Sequence, residues 1–149
     1  MKRKLIIVGL IATLVLYLLS MSAAVPNDIG IQNGSLAPLP ESPNAVSTQA
    51  ADPQRTMPAL ALEESSADAI KRIAEIVKEM PRTHIVTQSD NYLHAQSTSL
   101  IFRFVDDVEF LVSTDEGVIH FRSASRVGHS DMGANRKRMA AITHAWNSK

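Results

Sequence analysis

Cysteine is absent from the 149 residues. Its absence excludes disulfides, thiolate nucleophiles, cysteine-ligated metals and the lipid-modified cysteine of a lipoprotein. Several catalytic signatures are missing too. The chain has no GxSxG elbow, no SxxK, no P-loop and no HExxH pair, so no sequence motif points to acyl transfer, nucleotide binding or zinc hydrolysis. Acidic residues are missing from the N-terminal stretch, the first being Asp28. Lys2, Arg3 and Lys4 fall within that stretch. Setting them aside leaves 12 of the 15 basic residues against all 15 acidic ones, a mildly acidic body. A basic surface, on which general nucleic-acid binding relies, is therefore lacking, and no nucleic-acid partner is expected.

What is present starts with an export signal. Lys2, Arg3 and Lys4 lead into the uncharged run Leu5–Leu19, and Ser20–Val25 stays nearly apolar. Positive charge ahead of such a run stays on the cytoplasmic side. Residues 1–25 are thus a signal anchor or a signal peptide. Leu5–Val25 is long enough for one spanning helix, which needs roughly 20 residues, and its length favours retention in the membrane. Ser22-Ala23-Ala24 also has the small residues of a cleavage site, and cutting after Ala24 would free the body into the periplasm. Both outcomes put the body on the exterior face, as an inner-membrane single-pass or a periplasmic protein.

Residues 26–62 change character. Pro26, Pro38, Pro40, Pro43, Pro53 and Pro58 remove backbone donors and bias the preceding residues away from helix. Composition suits a flexible spacer. The other reading is an extended arm anchored on the body by Leu36, Leu39, Val46, Met57, Leu60 and Leu62.

Residues 63–149 read as a single α+β domain: a small antiparallel sheet of about four strands with two helices on one face. Ser65 or Ser66 caps a helix with Asp68 in its first turn. Ile70, Ile73, Ala74, Val77 and Met80 form its apolar stripe, and Pro81 ends it. His84–Gln88 and Tyr92–Ser97 flank the turn-like Ser89-Asp90-Asn91. Leu100–Thr114 alternates, with Phe102, Phe104, Val108, Phe110 and Val112 on one face and Arg103, Asp107 and Glu109 on the other. Asp106 interrupts the apolar face and suggests a bulge or bend there. Val118–Ala124 returns after a turn. A loop of Thr114–Gly117 keeps faces matched, setting Glu109 opposite Arg122 and Phe110 opposite Phe121. Ser130 or Asp131 caps a last helix carrying Met139, Ile142 and Trp146.

RSASRVGHSDMGANRKR, residues 122–138, holds the candidate site. Arg136, Lys137 and Arg138 sit in the first turns of the last helix, unfavourable for cations unless carboxylates or a bound anion compensate. The candidate cluster is Asp106, Asp107, Glu109, Arg122, Ser123, Ser125, Arg126, Asp131, Asn135, Arg136 and Arg138, converging at the end of the last two strands. It acts either as internal ion pairs that lock the loop or as a site for a small anion, acidic ligand or envelope component. The enzyme alternative, hydrolase-like, employs Asp106, Asp107 and Glu109 with His94, His120 or His129, alone or around a divalent metal. Five scattered histidines without ligand spacing assign no metal, and no catalytic residue or cofactor is assigned.

YLHAQSTSLIFRFVDDVEF and RSASRVGHSDMGANRKRM together resemble the family known as domain of unknown function 1499, over roughly Gly34 to Trp146. Members of that family occur in bacteria and plants, commonly behind an export or organelle-targeting segment, with no established activity. The resemblance includes LAPLPESPNAVSTQ, which implies that the arm is part of the module. Tyr92, Asp106, Asp107, Glu109, Arg122, Ser123, Ser125, Arg126, Gly128, Asp131, Asn135 and Arg138 match its pattern. Many relatives carry cysteines where this chain has Leu39 and Ala45. Their joint absence suits a lost disulfide.

The export reading has a direct check: a phosphatase fused after Lys149 should be active outside the inner membrane. Activity confined to a cytoplasmic reporter would refute it.

Overall fold

The apolar periodicities resolve into eleven elements in a computed structural model that describes residues 2–23 and 25–148. Helix α1 is Lys2–Ala23. Its described side chains run from Ile6 to Tyr17, all exposed. The cleavage position after Ala24 and the side chains of Lys2, Arg3 and Lys4 lie outside the described residues. Among the described residues no helix is long and apolar enough to cross a membrane.

The arm supplies four short strands: β1 (Ile31–Gln32), β2 (Ser35–Leu36), β3 (Ala45–Ser47) and β4 (Leu60–Ala61). Then come α2 (Ser66–Glu79), β5 (Thr83–Gln88), β6 (Tyr92–Thr98), β7 (Val105–Ser113), β8 (Val118–Ser125) and α3 (Ala134–Asn147). Strands β5 to β8 form the expected antiparallel meander, in the order β8-β7-β6-β5. The sheet is larger than expected because the arm extends it. Strands β3 and β4 lie end to end along the free edge of β8, Val46 opposite Ser123 and Leu60 opposite Ile119, giving six strands. Propensity did not reveal them, since each is only two or three residues long and is held by the partner edge. Of the proposed anchors, Leu36, Val46 and Leu60 are buried and Met57 and Leu62 partly so, while Leu39 is half-buried. The packed arm prevails over the flexible spacer.

Ser65 caps α2 by accepting from Asp68 N, and the helix stops at Met80, before Pro81. Both α2 and α3 pack on one face of the sheet. Their Ile70, Ile73, Val77, Met139, Ile142 and Trp146 close over Leu93, Ala95, Val108, Phe110, Ile119 and Phe121. The predicted register of the last hairpin holds: Glu109 faces Arg122 and Phe110 faces Phe121. Strand β7, however, begins only at Val105, and its pairing with β6 passes Asp106 without a bulge. The bulge lies instead in β5, between Ile85 and Thr87. Phe102 and Phe104 therefore leave the sheet face. They stack on each other in the β6–β7 loop, Phe102 exposed and Phe104 half-buried rather than core. That loop closes on itself through Ser99 N–H to Phe104 O, 2.8 Å, and Phe104 N–H to Ser99 Oγ, 2.9 Å.

Phe110 sits at the centre of the helix-covered face with no exposure. Phe110→Ala should cost about 3–5 kcal/mol, enough to unfold a domain of ordinary stability. An unchanged melting temperature would overturn the face assignment.

Candidate functional site

Successive strand residues point to opposite faces. The adjacent Asp106 and Asp107 are therefore separated by the sheet, and the candidate residues divide into two clusters rather than the single convergent one expected. The charges are paired in both, but on different faces.

The first cluster lies on the face away from the helices. The arm covers it, so what reads as a charged surface is interior: Asp107, Glu109 and Arg122 are all buried. Glu109 is its centre. Oε2 accepts from Arg122 Nη1 at 2.8 Å, while Oε1 accepts from Tyr92 Oη at 2.8 Å and from the backbone N–H of Gly30 in the arm at 2.6 Å. Arg122 Nη2 reaches Pro38 O at 3.5 Å. Beside it, Asp107 accepts from Arg126 in a fork, Nε to Oδ2 and Nη2 to Oδ1, both 2.8 Å, and Oδ1 lies 2.7 Å from His94 Nε2. The β6–β7 register explains both reaches. His94 stands opposite Glu109 and Tyr92 opposite Leu111, so each polar side chain of β6 touches the carboxylate on its diagonal.

These environments set the protonation behaviour. Burial, then the negative charge of Glu109, then its hydrogen bond push the Tyr92 hydroxyl far above the usual phenol range and keep it a donor. For Asp107, burial alone would raise the carboxyl. Hydrogen bonds and positive charge from Arg126 and His94 outweigh it and hold the group below its ordinary value.

The second cluster lies on the helix face. Arg138 Nη2 donates to Asp106 Oδ2 at 2.6 Å, and its Nη1 donates to Asn135 Oδ1 at 2.7 Å and Ser123 Oγ at 3.1 Å. Ser123 Oγ donates to Asn135 Oδ1 at 2.6 Å. Asn135 Nδ2 donates to Ser125 Oγ and to the carbonyl of Asn44 in the arm. Asp131 accounts for the cations at the start of α3. Gly133, with φ 78°, occupies the N-cap without a side-chain acceptor. The Asp131 carboxylate replaces one, accepting from Gly133 N and Asn135 N at 3.0 and 2.8 Å. Arg136 stands apart from both clusters, donating to the carbonyls of Gln54 and Thr56.

Asp106, Asp107 and Glu109 thus do not form one acidic group, each being tied to its own arginine. His94 belongs to Asp107. His120 Nδ1 lies 3.0 Å from Thr48 Oγ1, and its Nε2 is 3.3 Å from Glu116 Oε2 without hydrogen-bonding geometry. His129 is exposed in the β8–α3 loop. Among the described residues no group of three or more His, Asp or Glu is placed to hold a metal ion. Sequence reasoning omitted Tyr92, Gly30, Asn44 and Arg55 from the site. The Tyr92-His94-Gln96 alternation was a usable signal for the first. Nothing local marks Arg55, which braces the arm by donating to Pro40 O, Ser42 O and Ala45 O.

A small cavity of about 100 Å³ adjoins the first cluster, lined among others by Asp28, Pro40, Asp107, Arg122, Ser125 and Arg126. Arg122 Nε is buried with no hydrogen-bond partner.

Because the Asp107 carboxyl titrates lower in the folded chain than in the unfolded one, its contribution is complete above its ordinary value of 3.8 and is lost as pH falls through the folded value. Asp107→Asn should lose about 3–5 kcal/mol at neutral pH, as expected when a buried pair loses one partner, and should unfold in acid along a shallower limb. Neutral stability and an acid limb both equal to wild type would refute the pairing.

No curated protein matches the chain. A family model described as "Protein of unknown function (DUF1499)" matches residues 35–145, which takes in β2 to β8 and most of α3, with every candidate residue. The chain therefore belongs to the DUF1499 family of proteins of unknown function.

Proposed function

We propose that the protein is an exported, envelope-located binding domain whose site is the cavity beside Arg122 and Arg126. The occupant suited to it is a small anion or the acidic group of a larger ligand. One observation carries this reading: Arg122 lines the cavity while its buried Nε lacks a partner. A buried unsatisfied guanidinium donor is costly, and an oxyanion or ordered water would relieve the cost. Asp28 and Asp107 also line the cavity and temper its positive character, and the volume limits what enters to a small group. Segment 1–25 holds the body at the membrane, or releases it after Ala24. The hydrolase-like alternative loses ground because its three acids serve separate arginines on two faces.

Phosphate and sulfate should raise the melting temperature of wild type relative to chloride at equal ionic strength. An anion at one hundred times its Kd adds roughly 2.7 kcal/mol. Arg126→Ala should lose that anion-specific increment whatever its own baseline. No anion-specific shift in wild type would end the inorganic-anion form of the proposal.

A further inference from the structure

The two ends of the sheet differ in character. At one end the β5–β6 turn, the Thr114–Gly117 turn and the segment beside it carry Asp90, Asp115, Glu116, Glu63 and Glu64, the last paired with Arg72 at 3.3 Å. Leu62 N–H donates to Gly117 O there, and those three segments contain no lysine or arginine. The opposite end gathers the α2–β5 junction, the β6–β7 loop and the β8–α3 loop. Thr83 faces Ser97, Asp106 faces Ser125, and Arg126 N–H donates to Val105 O. Here Leu100, Ile101 and Phe102 are 69%, 78% and 60% exposed, and Met132 is 91% exposed. Consecutive large apolar side chains held in water are unusual for a soluble surface and mark contact with something apolar.

Cations flank this tip. Arg82 and Arg103 line a shallow depression of about 330 Å³ with Thr83, His84 and Thr98. The segments 80–82 and 99–104 contain no acid, Lys78 and Glu79 nearby offset each other, and Asp131 in the β8–α3 loop is engaged by the Gly133 and Asn135 amides. Arg82, Arg103 and Met132 all hold positive φ, 55°, 57° and 54°. Such backbone is costly for non-glycine residues and persists where surrounding structure imposes it. The depression is imposed in that way: Arg82 Nε donates to Thr98 O at 3.1 Å, and Thr98 N–H to Arg82 O at 3.0 Å. The chain arriving from α1 reaches the body at this same end, since Pro26, Asp28 and Ile29 share a cavity with Ser125 and Arg126.

We propose that this end of the sheet docks on an anionic lipid bilayer. Leu100, Ile101 and Phe102 enter the interfacial zone, and Arg82 and Arg103 meet lipid phosphates. An apolar tip with a cationic rim matches the interface chemically, and the acidic end then points away from the negative surface. The domain sits down on the membrane rather than hanging from a tether. The inference rests on the envelope location proposed above, and it concerns a surface distinct from the Arg122 cavity.

Because the chain has no cysteine, Ile101→Cys and Asp115→Cys each give one labelling position in the full chain. The full-length protein, carrying an environment-sensitive fluorophore, is mixed with phosphatidylcholine vesicles or with mixed phosphatidylcholine–phosphatidylglycerol vesicles. Flotation reads attachment, and quenching by aqueous iodide and by lipid-borne quenchers reads depth. With anionic vesicles the label at position 101 should be shielded from iodide and quenched from the lipid side, while the label at 115 stays aqueous. Arg82→Ala and Arg103→Ala should each weaken the anionic-vesicle component about fivefold, and added salt should do the same. Flotation with both vesicle types while position 101 stays aqueous would overturn docking and leave the N-terminal attachment standing. Flotation with anionic vesicles alone, position 101 shielded, would support docking and refute the anchor. Flotation with neither would refute both. Shielding of position 101 without vesicles, growing with protein concentration, would assign the tip to a second copy of the chain and overturn the proposal.

Discussion

A fully buried carboxylate, Glu109, organises the face of the sheet that has no helix on it. An isolated charge there would be prohibitively costly, so the fold must bring it donors. It has three, each from a different part of the chain: Arg122 on the strand to one side, Tyr92 on the strand to the other, and the Gly30 amide in the arm. The last bond makes the arm structural. Without it, and without the contact of Arg122 with Pro38 O, the charged face would open to water. A proline-rich segment with little regular structure becomes a lid because a buried charge needs it.

The helix-covered face repeats this logic with amides and hydroxyls. Asn135 donates to Ser125 and to the Asn44 carbonyl, and accepts from Ser123 and Arg138. Asn44 in turn donates to Gly128 O at 2.6 Å. The arm, the β8–α3 loop and α3 are thereby tied at one end of the sheet. Most of the polar residues in the 122–138 stretch are committed to internal partners, which limits the free positive surface that this basic-looking sequence yields. Exposed cations remain at Arg82 and Arg103 and, on the helices, at Lys71, Lys78, Arg136 and Lys137, while Arg122 Nε is buried without a hydrogen-bond partner.

The arrangement gives the molecule a polarity along its strands. Ion pairs and the arm close the middle, acids crowd one end, and apolar and cationic side chains crowd the other, where the chain arrives from α1. Ligand chemistry and surface chemistry are therefore separable properties here. The cavity lies beneath the arm, and the apolar tip lies on the loop that β7 does not reach.

Much of this was legible in the sequence because it is periodic or local. Ser65 and Pro81 bracket α2, and strand alternation with a four-residue turn sets Glu109 against Arg122, because a one-residue slip would mix the faces. The stripe of Met139, Ile142 and Trp146 identifies the buried side of α3. Long-range pairing was not legible. Strands β3 and β4 are too short to show a period and exist only because the edge of β8 offers them partners. Alternation put Asp107 and Glu109 on one polar face, but polarity does not reveal that an arm some 80 residues away in sequence will bury it. Nor does alternation locate where a strand starts. Ser99 closing the loop on Phe104 takes Phe102 out of the sheet, and that closure turned an expected core residue into an exposed one. The sequence by itself determined the meander, its register and its helices, since local sterics and burial of one face suffice for those. Only the tertiary structure decided which charges meet, on which face, and under what cover, because each of those pairings joins residues with no local relation.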